Sequence, residues 1–319
     1  MIRAGIIGGA GYTAGELLRL LINHSEVEIA FVQSTSQAGL PVTDVHENLV
    51  GETTLCFAAE ADLENADVVF LCMGHGKSRA FWETHQMPAG LKVIDLAQDF
   101  RDESDGYVYG LPEWQRERIS QSRLVANPGC FATAIQLALL PLAEAHRITD
   151  EVHVTAITGS TGAGVKPGAT THFSWRTDNL SVYKPFNHQH LIEIGRNLGL
   201  LQGTQPAINF VPLRGDFARG ILASVYTRTE LSAHEARRLY EDYYADAPFT
   251  VVSPHSVNLK QAVNTNKCVL SADVHNGRLH VVACIDNLLK GASGQAVQNM
   301  NLMFGLPQTA GLRLKGSAF

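Results

Sequence analysis

The chain lacks most of the features that mark membrane, nucleic-acid-binding or disulfide-stapled proteins. No window of its 319 residues approaches 18 consecutive apolar positions, so no membrane-spanning helix is expected. Its five cysteines (56, 72, 130, 268 and 284) include no C-x-x-C pair, which argues against a zinc site or a disulfide framework and for a reducing cytoplasm. Positive charge is scarce. Lys and Arg number 25 against 31 Asp and Glu, a net −6, and no basic stretch can neutralise a run of phosphates, so nucleic acid is not an expected partner. The opening Met1–Gly8 reaches glycine too early for the apolar core of a signal peptide. Repeats and low-complexity tracts are missing, and among the 13 histidines only His188 and His190 form a close pair. What remains is 45% hydrophobic and 18% charged, a composition that folds, and at this length it reads as two domains.

The first half alternates short apolar runs with helical patterns, the signature of a parallel α/β sheet. Strands are expected at 3–8, 27–33, 67–73, 92–96 and 123–126, with a first helix over 14–23 whose stripe is Leu17, Leu18 and Leu21. A long apolar helix is expected from Cys130 to about Ala145, kinked or ended by Pro141. The second half carries strand-like runs at 152–158, 207–212, 221–228, 268–274 and 279–285 with few helices between, which suggests a mixed or antiparallel sheet in an α+β domain. A last helix is expected from Leu288 to Phe304.

Three segments carry chemistry. The glycines of Gly8-Gly9-Ala10-Gly11-Tyr12-Thr13-Ala14-Gly15 lie between the first strand and the first helix. There they permit a tight turn and let a pyrophosphate approach the helix N-terminus. An acid at the end of the second strand would hold a ribose 2′-hydroxyl. This chain has Gln33-Ser34-Thr35-Ser36 instead, which favours NADP.

The second segment is Asn127-Pro128-Gly129-Cys130, which puts a thiol on the first turn of the long helix, where the positive end of the helix dipole favours thiolate. Cys130 is the candidate nucleophile, and the other four cysteines read as small buried hydrophobes. The candidate base lies in His188-Gln189-His190, with Glu193 placed to orient an imidazole from the same helix face. In the third segment, 286–301, Gly291 and Gly294 sit inside a helical pattern, which makes sense where the helix must approach another backbone or a ligand. Asn287 at its mouth can bond a carboxamide.

Taken together, GGAGYTAGEL, FLCMGHGKS, VIDLAQDFR, YGLPE, NPGC, GSTGAG, HQH with its Glu, RGI and DNLLKGASGQAVQNMN resemble the N-acetyl-γ-glutamyl-phosphate reductases, the arginine-pathway branch of the aspartate-semialdehyde dehydrogenase superfamily. The resemblance implies a Rossmann domain over 1–127 and 289–319 and an α+β mixed-sheet substrate and dimerisation domain over 128–288. It implies NADPH as cofactor, Cys130 as nucleophile and His188 as acid/base. Gly8, Ala10, Gly11, Tyr12, Thr13, Gly15, Ser34, Thr35, Ser36 and Asn287 would contact the nucleotide. For the substrate, Arg101 and Arg219 are expected as anion clamps, with Asn127, His190 and Glu193 beside them. No metal is expected. A small-molecule acyl phosphate, inorganic phosphate and a second or further copy of the chain are the expected partners. The chain departs from the family at Phe131-Ala132, where Tyr-Pro is common, at Ile192, where Pro is common, and at Thr35, where Arg is common.

In the expected reaction, the Cys130 thiolate displaces phosphate from the γ-acyl phosphate to give a thioester, which hydride from NADPH then reduces. His188 supplies the proton. Amide groups at the start of the Cys130 helix stabilise the oxyanion. The alternatives are an N-succinylated substrate held by Arg176, a carrier-linked aminoadipyl phosphate, and a nucleotide sensor without catalysis. A carrier protein would want a basic docking face, which a net −6 chain does not offer, and a sensor needs neither Cys130 nor His188.

Overall fold

The computed structural model describes residues 1–316, so the last three residues of the expected first domain, 317–319, lie outside the described residues. The chain divides into two compact units. One comprises Met1–Gly129 with Ala292–Arg313, and the other comprises Cys130–Gly291 with 314–316.

In the first unit, β1 (Ile2–Ile7), β2 (Val27–Gln33), β3 (Val68–Leu71), β4 (Lys92–Asp95), β5 (Val108–Tyr109) and β6 (Leu124–Ala126) form one sheet in the order β2-β1-β3-β4-β6-β5. Every pairing in it is parallel. All four residues of β3 are buried, as an apolar run covered on both faces requires. Helix α1 (Tyr12–Leu21) follows β1 and buries Leu17, Leu18, Leu20 and Leu21. Two helices absent from the sequence reading, α2 (Lys77–Thr84) and α3 (Pro112–Gln121), follow β3 and β5. The sheet order places β1 between β2 and β3, so the chain steps from β1 to β2 in one direction and then crosses back over β1 to reach β3. That reversal opens a crevice at the carboxyl ends of β1 and β3.

The second unit begins with α4 (Cys130–Glu144), every residue of which from Phe131 to Ala143 is buried. It packs on a seven-stranded mixed sheet made of β7 (Val152–Thr158), β8 (Ser181–Val182), β9 (Ile208–Arg214), β10 (Ile221–Arg228), β11 (Thr250–Val252), β12 (Cys268–His275) and β13 (Arg278–Ile285). Their order is β11-β12-β13-β10-β7-β9-β8. The pairs β7–β9 and β11–β12 are parallel, and the others are antiparallel. Helices α5 (Phe173–Arg176), α6 (His190–Gln202) and α7 (Ala233–Tyr243) complete this unit, while α8 (Gly294–Met303) packs on α1 and α3 in the first. Among the described residues, no helix is long and apolar enough to cross a membrane.

Two helical expectations need correction. Pro141 does not end α4, which runs on to Glu144. Proline has no N–H for the carbonyl of residue 137 four positions back. The Tyr244 hydroxyl takes its place, donating to the Leu137 oxygen at 2.5 Å, and Tyr240 donates to Ala138 at 2.6 Å. Tyr244→Phe leaves that buried carbonyl without a donor and is expected to lower stability by about 1–3 kcal/mol. Urea denaturation measures this, and an unchanged midpoint would remove the tyrosine from the account.

The second correction concerns the C-terminal helix, which is not continuous α-helix from Leu288. A π-helical turn spans Leu289–Ser293 before α8 begins, with Gly291 N–H donating to Asp286 O, five residues back, at 2.9 Å.

Candidate active site

The crevice in the first unit is a cavity of about 590 Å³, with Gly8, Ala10, Gly11, Ser34, Thr35 and Ser36 on its wall. Gly8 has φ +83°, and a Cβ there would lie 3.0 Å from the Cys72 backbone, so the turn closes only on glycine. A Cβ on Gly11 would meet nothing nearer than the Gly8 oxygen at 3.9 Å, which leaves room for a ligand to approach the backbone. Gly11 caps α1 without a side-chain bond, so the first-turn amides are left to an incoming anion. This cradle fits the pyrophosphate of a dinucleotide.

Gly15 serves packing instead: a Cβ there would strike the His46 ring at 2.6 Å, and His46 Nε2 bonds Gly9 O at 2.7 Å. Tyr12 is exposed, and Thr13 accepts a bond from Ser293 Oγ on its carbonyl at 2.7 Å. Lys77, which sequence reasoning missed, also lines the cavity, with Glu60 as the acidic residue on the same wall.

Among the cysteines, burial pushes Cys72 and Cys284 up to about 12, and Cys268 is fully buried, whereas Cys56 is exposed, which corrects the expectation of a buried hydrophobe there. None of the five forms a disulfide. Cys130 differs. It is partly exposed and is the first residue of α4, where the helix dipole favours thiolate.

His188 is 5% exposed and is held in a cage of rings. The centroids of Phe131, Phe210 and Tyr183 lie 5.4, 5.5 and 5.8 Å from its own, all edge to face. The His190 N–H donates to His188 Nδ1 at 3.2 Å, so the proton of the neutral ring sits on Nε2. Burial, and then the charge of Lys184, pull His188 down to about 4. The expectation that His188 supplies the proton is therefore refined. The resting ring is neutral, and it holds a second proton only when a negative charge is beside it. Tyr183 carries that link to the nucleophile: its hydroxyl is pushed upward first by burial and then by the charge of Cys130, with Arg214 opposing. The phenol stays protonated and can donate.

Helix α6 begins at His190, and both His190 and Glu193 are buried on its first turn. His190 thus meets His188 twice, through its backbone N–H and through its own ring, whose centroid lies 4.6 Å away.

Several expected ligand contacts are committed elsewhere. Four N–H groups of Arg176 go to Thr170 O, Asn179 O, Arg214 O and Ser181 Oγ, so the expected grip on an acyl substituent is corrected to a brace of the β8–β9 edge. Arg219 is paired through two bonds, of 3.0 and 3.1 Å, with the fully buried Asp286. That pair holds Arg219 against the residue that follows β13. Arg101 donates to Asn127 O and Leu96 O. The Asn127 amide donates to Ala292 O and accepts from Asn299, anchoring the turn before Cys130. Asn287, expected at the nucleotide, accepts from Gly220 N at 2.6 Å and donates to Thr161 Oγ1 at 2.9 Å inside the second unit.

Gly291 bears directly on the nucleophile. A Cβ there would stand 2.9 Å from Cys130 Cβ and 3.2 Å from both Cys130 Cα and Asp286 O. Gly291→Ala is expected to displace the start of α4, at a cost of about 1–3 kcal/mol, and to lower kcat more than it raises KM. An alanine variant with normal stability and turnover would show that the close approach is incidental.

These parts define a class: a dinucleotide-binding unit joined to a mixed-sheet unit that presents a helix-start cysteine and a caged histidine. Residues 3–122 match the family model described as semialdehyde dehydrogenase, NAD binding domain, and residues 130–287 match semialdehyde dehydrogenase, dimerisation domain. The chain belongs to the semialdehyde dehydrogenase family. It is 57% identical to the N-acetyl-gamma-glutamyl-phosphate reductase of Bacteroides fragilis and 56% identical to that of Phocaeicola vulgatus, each over 100% of both chains. In fold it is similar to aspartate semialdehyde dehydrogenase II from Vibrio cholerae, with a TM-score of 0.73 at 17% identity over 96% of this chain and 98% of that one. It is equally similar to aspartate semialdehyde dehydrogenase with NADP from Candida albicans, with a TM-score of 0.73 at 14% identity over 95% and 99%.

Proposed function

We propose that this chain reduces N-acetyl-γ-glutamyl phosphate to N-acetyl-glutamate γ-semialdehyde with NADPH, as a step of arginine biosynthesis, through a thioester on Cys130. The observation that carries the reading is the cluster around Cys130 at the start of α4: a phenol that feels its charge, packed edge to face on a buried neutral imidazole. The names of the relatives at 56–57% identity support the substrate.

The Cys130 thiolate attacks the γ-carbonyl, the C–O bond to phosphate breaks, and phosphate leaves with the bonding pair. Amides of the first turn of α4 face the developing oxyanion. NADPH held along Gly8–Gly11 and Ser34–Ser36 would supply the hydride for reduction of the thioester carbonyl. His188 moves the proton needed at oxygen or sulfur when the resulting hemithioacetal collapses to aldehyde and thiolate. The negative charge of the bound substrate would raise the proton affinity of His188, offsetting the burial and the Lys184 charge that lower it.

NADP over NAD rests on three features: Ser34–Ser36 in place of an acid after β2, Lys77 on the same cavity wall, and an NADP complex in a neighbour of the same fold. A homo-oligomer is supported by the dimerisation-domain match and by the exposed Phe173, Leu180, Val182 and Phe186 around the edge strand β8. Five cysteines, none of them in a disulfide, suit a reducing cytoplasm.

The test is nucleotide-dependent oxidation of N-acetyl-glutamate semialdehyde with phosphate present, comparing NADP+ with NAD+. Phosphate-dependent turnover with NADP+ is expected. Its absence with a folded protein would reject the reading.

A further inference from the structure

We infer that Arg214 grips a substrate carboxylate beside Cys130; the inference rests on the site reading above. Arg214 ends β9, opposite Ser181 of β8, and its guanidinium lies 4.7 Å over the Tyr183 ring. Tyr183 in turn packs against His188, and its hydroxyl feels the charge of Cys130. A cation is thus built into the wall that holds the nucleophile and the acid/base.

The Tyr183 hydroxyl is the one side-chain group that answers that cation among the described residues, and it carries no charge. Among the described residues no carboxylate pairs with Arg214, and its Nε is buried without a hydrogen-bond partner. A buried donor left unmade is costly. The neighbouring arginines show the contrast. Arg176 is bonded to four acceptors, one of them the carbonyl of Arg214 itself, and Arg219 is paired with Asp286. Arg176 and Arg214 also repel each other, as the lowered proton affinity of Arg176 records after its own burial. An arriving anion relieves that repulsion and supplies the missing acceptor. The guanidinium fork matches the two oxygens of a carboxylate. An N-acyl-glutamyl substrate has one on its α-carbon, and an N-succinyl substituent would bring another.

The experiment follows oxidation by the full-length protein and its Arg214→Ala, Arg214→Gln and Arg214→Lys variants. The substrates are N-acetyl-glutamate semialdehyde, its α-carboxamide and the N-succinyl analogue. Arg214→Ala is expected to raise KM roughly 10- to 100-fold with kcat changed far less, and Arg214→Lys to restore part of the loss. If the α-carboxylate is the partner, wild type should treat the α-carboxamide as poorly as Arg214→Ala treats the acid. If the acyl carboxylate is the partner, wild type should prefer the succinyl compound and only that preference should vanish. Should Arg214→Ala fail to fold, the Gln and Lys variants keep the stem over Tyr183 and carry the same comparison. Unchanged KM for all three substrates in folded variants, with Cys130→Ala inactive, would overturn the inference alone. Turnover surviving in Cys130→Ala would overturn the site reading beneath it.

Discussion

Replacing Cys130 by alanine should abolish reduction to background while leaving NADPH affinity within a few-fold. The two outcomes separate because the two functions lie on different parts of the chain. The thiol starts α4 in the second unit, whereas the nucleotide cradle is built from Gly8–Gly11 and Ser34–Ser36 in the first. The other thiols do not share the setting of Cys130: Cys72 and Cys284 are held up near 12 by burial, Cys268 is fully buried, and the exposed Cys56 lies in the first unit in an isolated bridge with Pro41. Fluorescence titration with NADPH and a steady-state assay on the same preparation make the comparison. Loss of nucleotide affinity together with turnover would mean that Cys130 is structural.

His188→Ala should lower turnover by roughly 10²–10⁴-fold, the usual contribution of a general acid or base. His190→Ala should cost less, since its ring packs edge to face on His188, with centroids 4.6 Å apart, and the backbone N–H that bonds His188 Nδ1 is retained by alanine. The reverse ranking would identify His190 as the proton carrier. The same histidine also leaves a mark on stability. Its folded value, about 4, lies below the unfolded value of 6.5, so between these the unfolded chain binds more protons than the folded one. The stabilisation associated with neutral His188 is complete above about pH 6.5 and is lost as pH falls toward 4. Other groups titrate there as well; burial raises Asp95 to about 6. The difference in urea stability between wild type and His188→Gln isolates the histidine. That difference should shrink as pH falls through this window, and a difference independent of pH would contradict the caged neutral ring.

Much of this was legible in the sequence because it rests on local chemistry. Apolar runs such as Val68–Leu71 can only be covered strands, and the glycines after β1 have no cheaper use than a tight turn. A cysteine after Asn-Pro-Gly at the head of an apolar helix reads the same in one dimension as in three. Helices with little to bury were missed. In α3 only Pro112, Gln115 and Ile119 are buried, too few for an apolar stripe. In α7 only Ala236 and Tyr240 are buried, although its capping box was there to be read: Ser232 accepts from Glu235 N, and Glu235 accepts from Ser232 N.

The roles of the arginines could not be read from the sequence at all. Arg176, Arg214 and Arg219 are alike in the sequence, and their roles follow from what each meets after folding. Arg176 meets carbonyls, Arg219 meets a buried aspartate, and Arg214 reaches Tyr183 because β8 pairs with the end of β9. The ring cage around His188 has the same origin, with Phe131, Tyr183 and Phe210 coming from a helix, a loop and a strand.

The most direct test of the account is a rapid-mixing measurement in the oxidative direction with phosphate left out. With N-acetyl-glutamate semialdehyde and NADP+, the thioester on Cys130 forms but has no phosphate to release it, so about one equivalent of NADPH per subunit should appear in a burst and then stall. Adding phosphate should restart turnover, and intact-mass analysis of the stalled protein should find the acyl group on Cys130. Steady turnover without phosphate, or a burst that persists in Cys130→Ser, would contradict the thioester and with it the central claim.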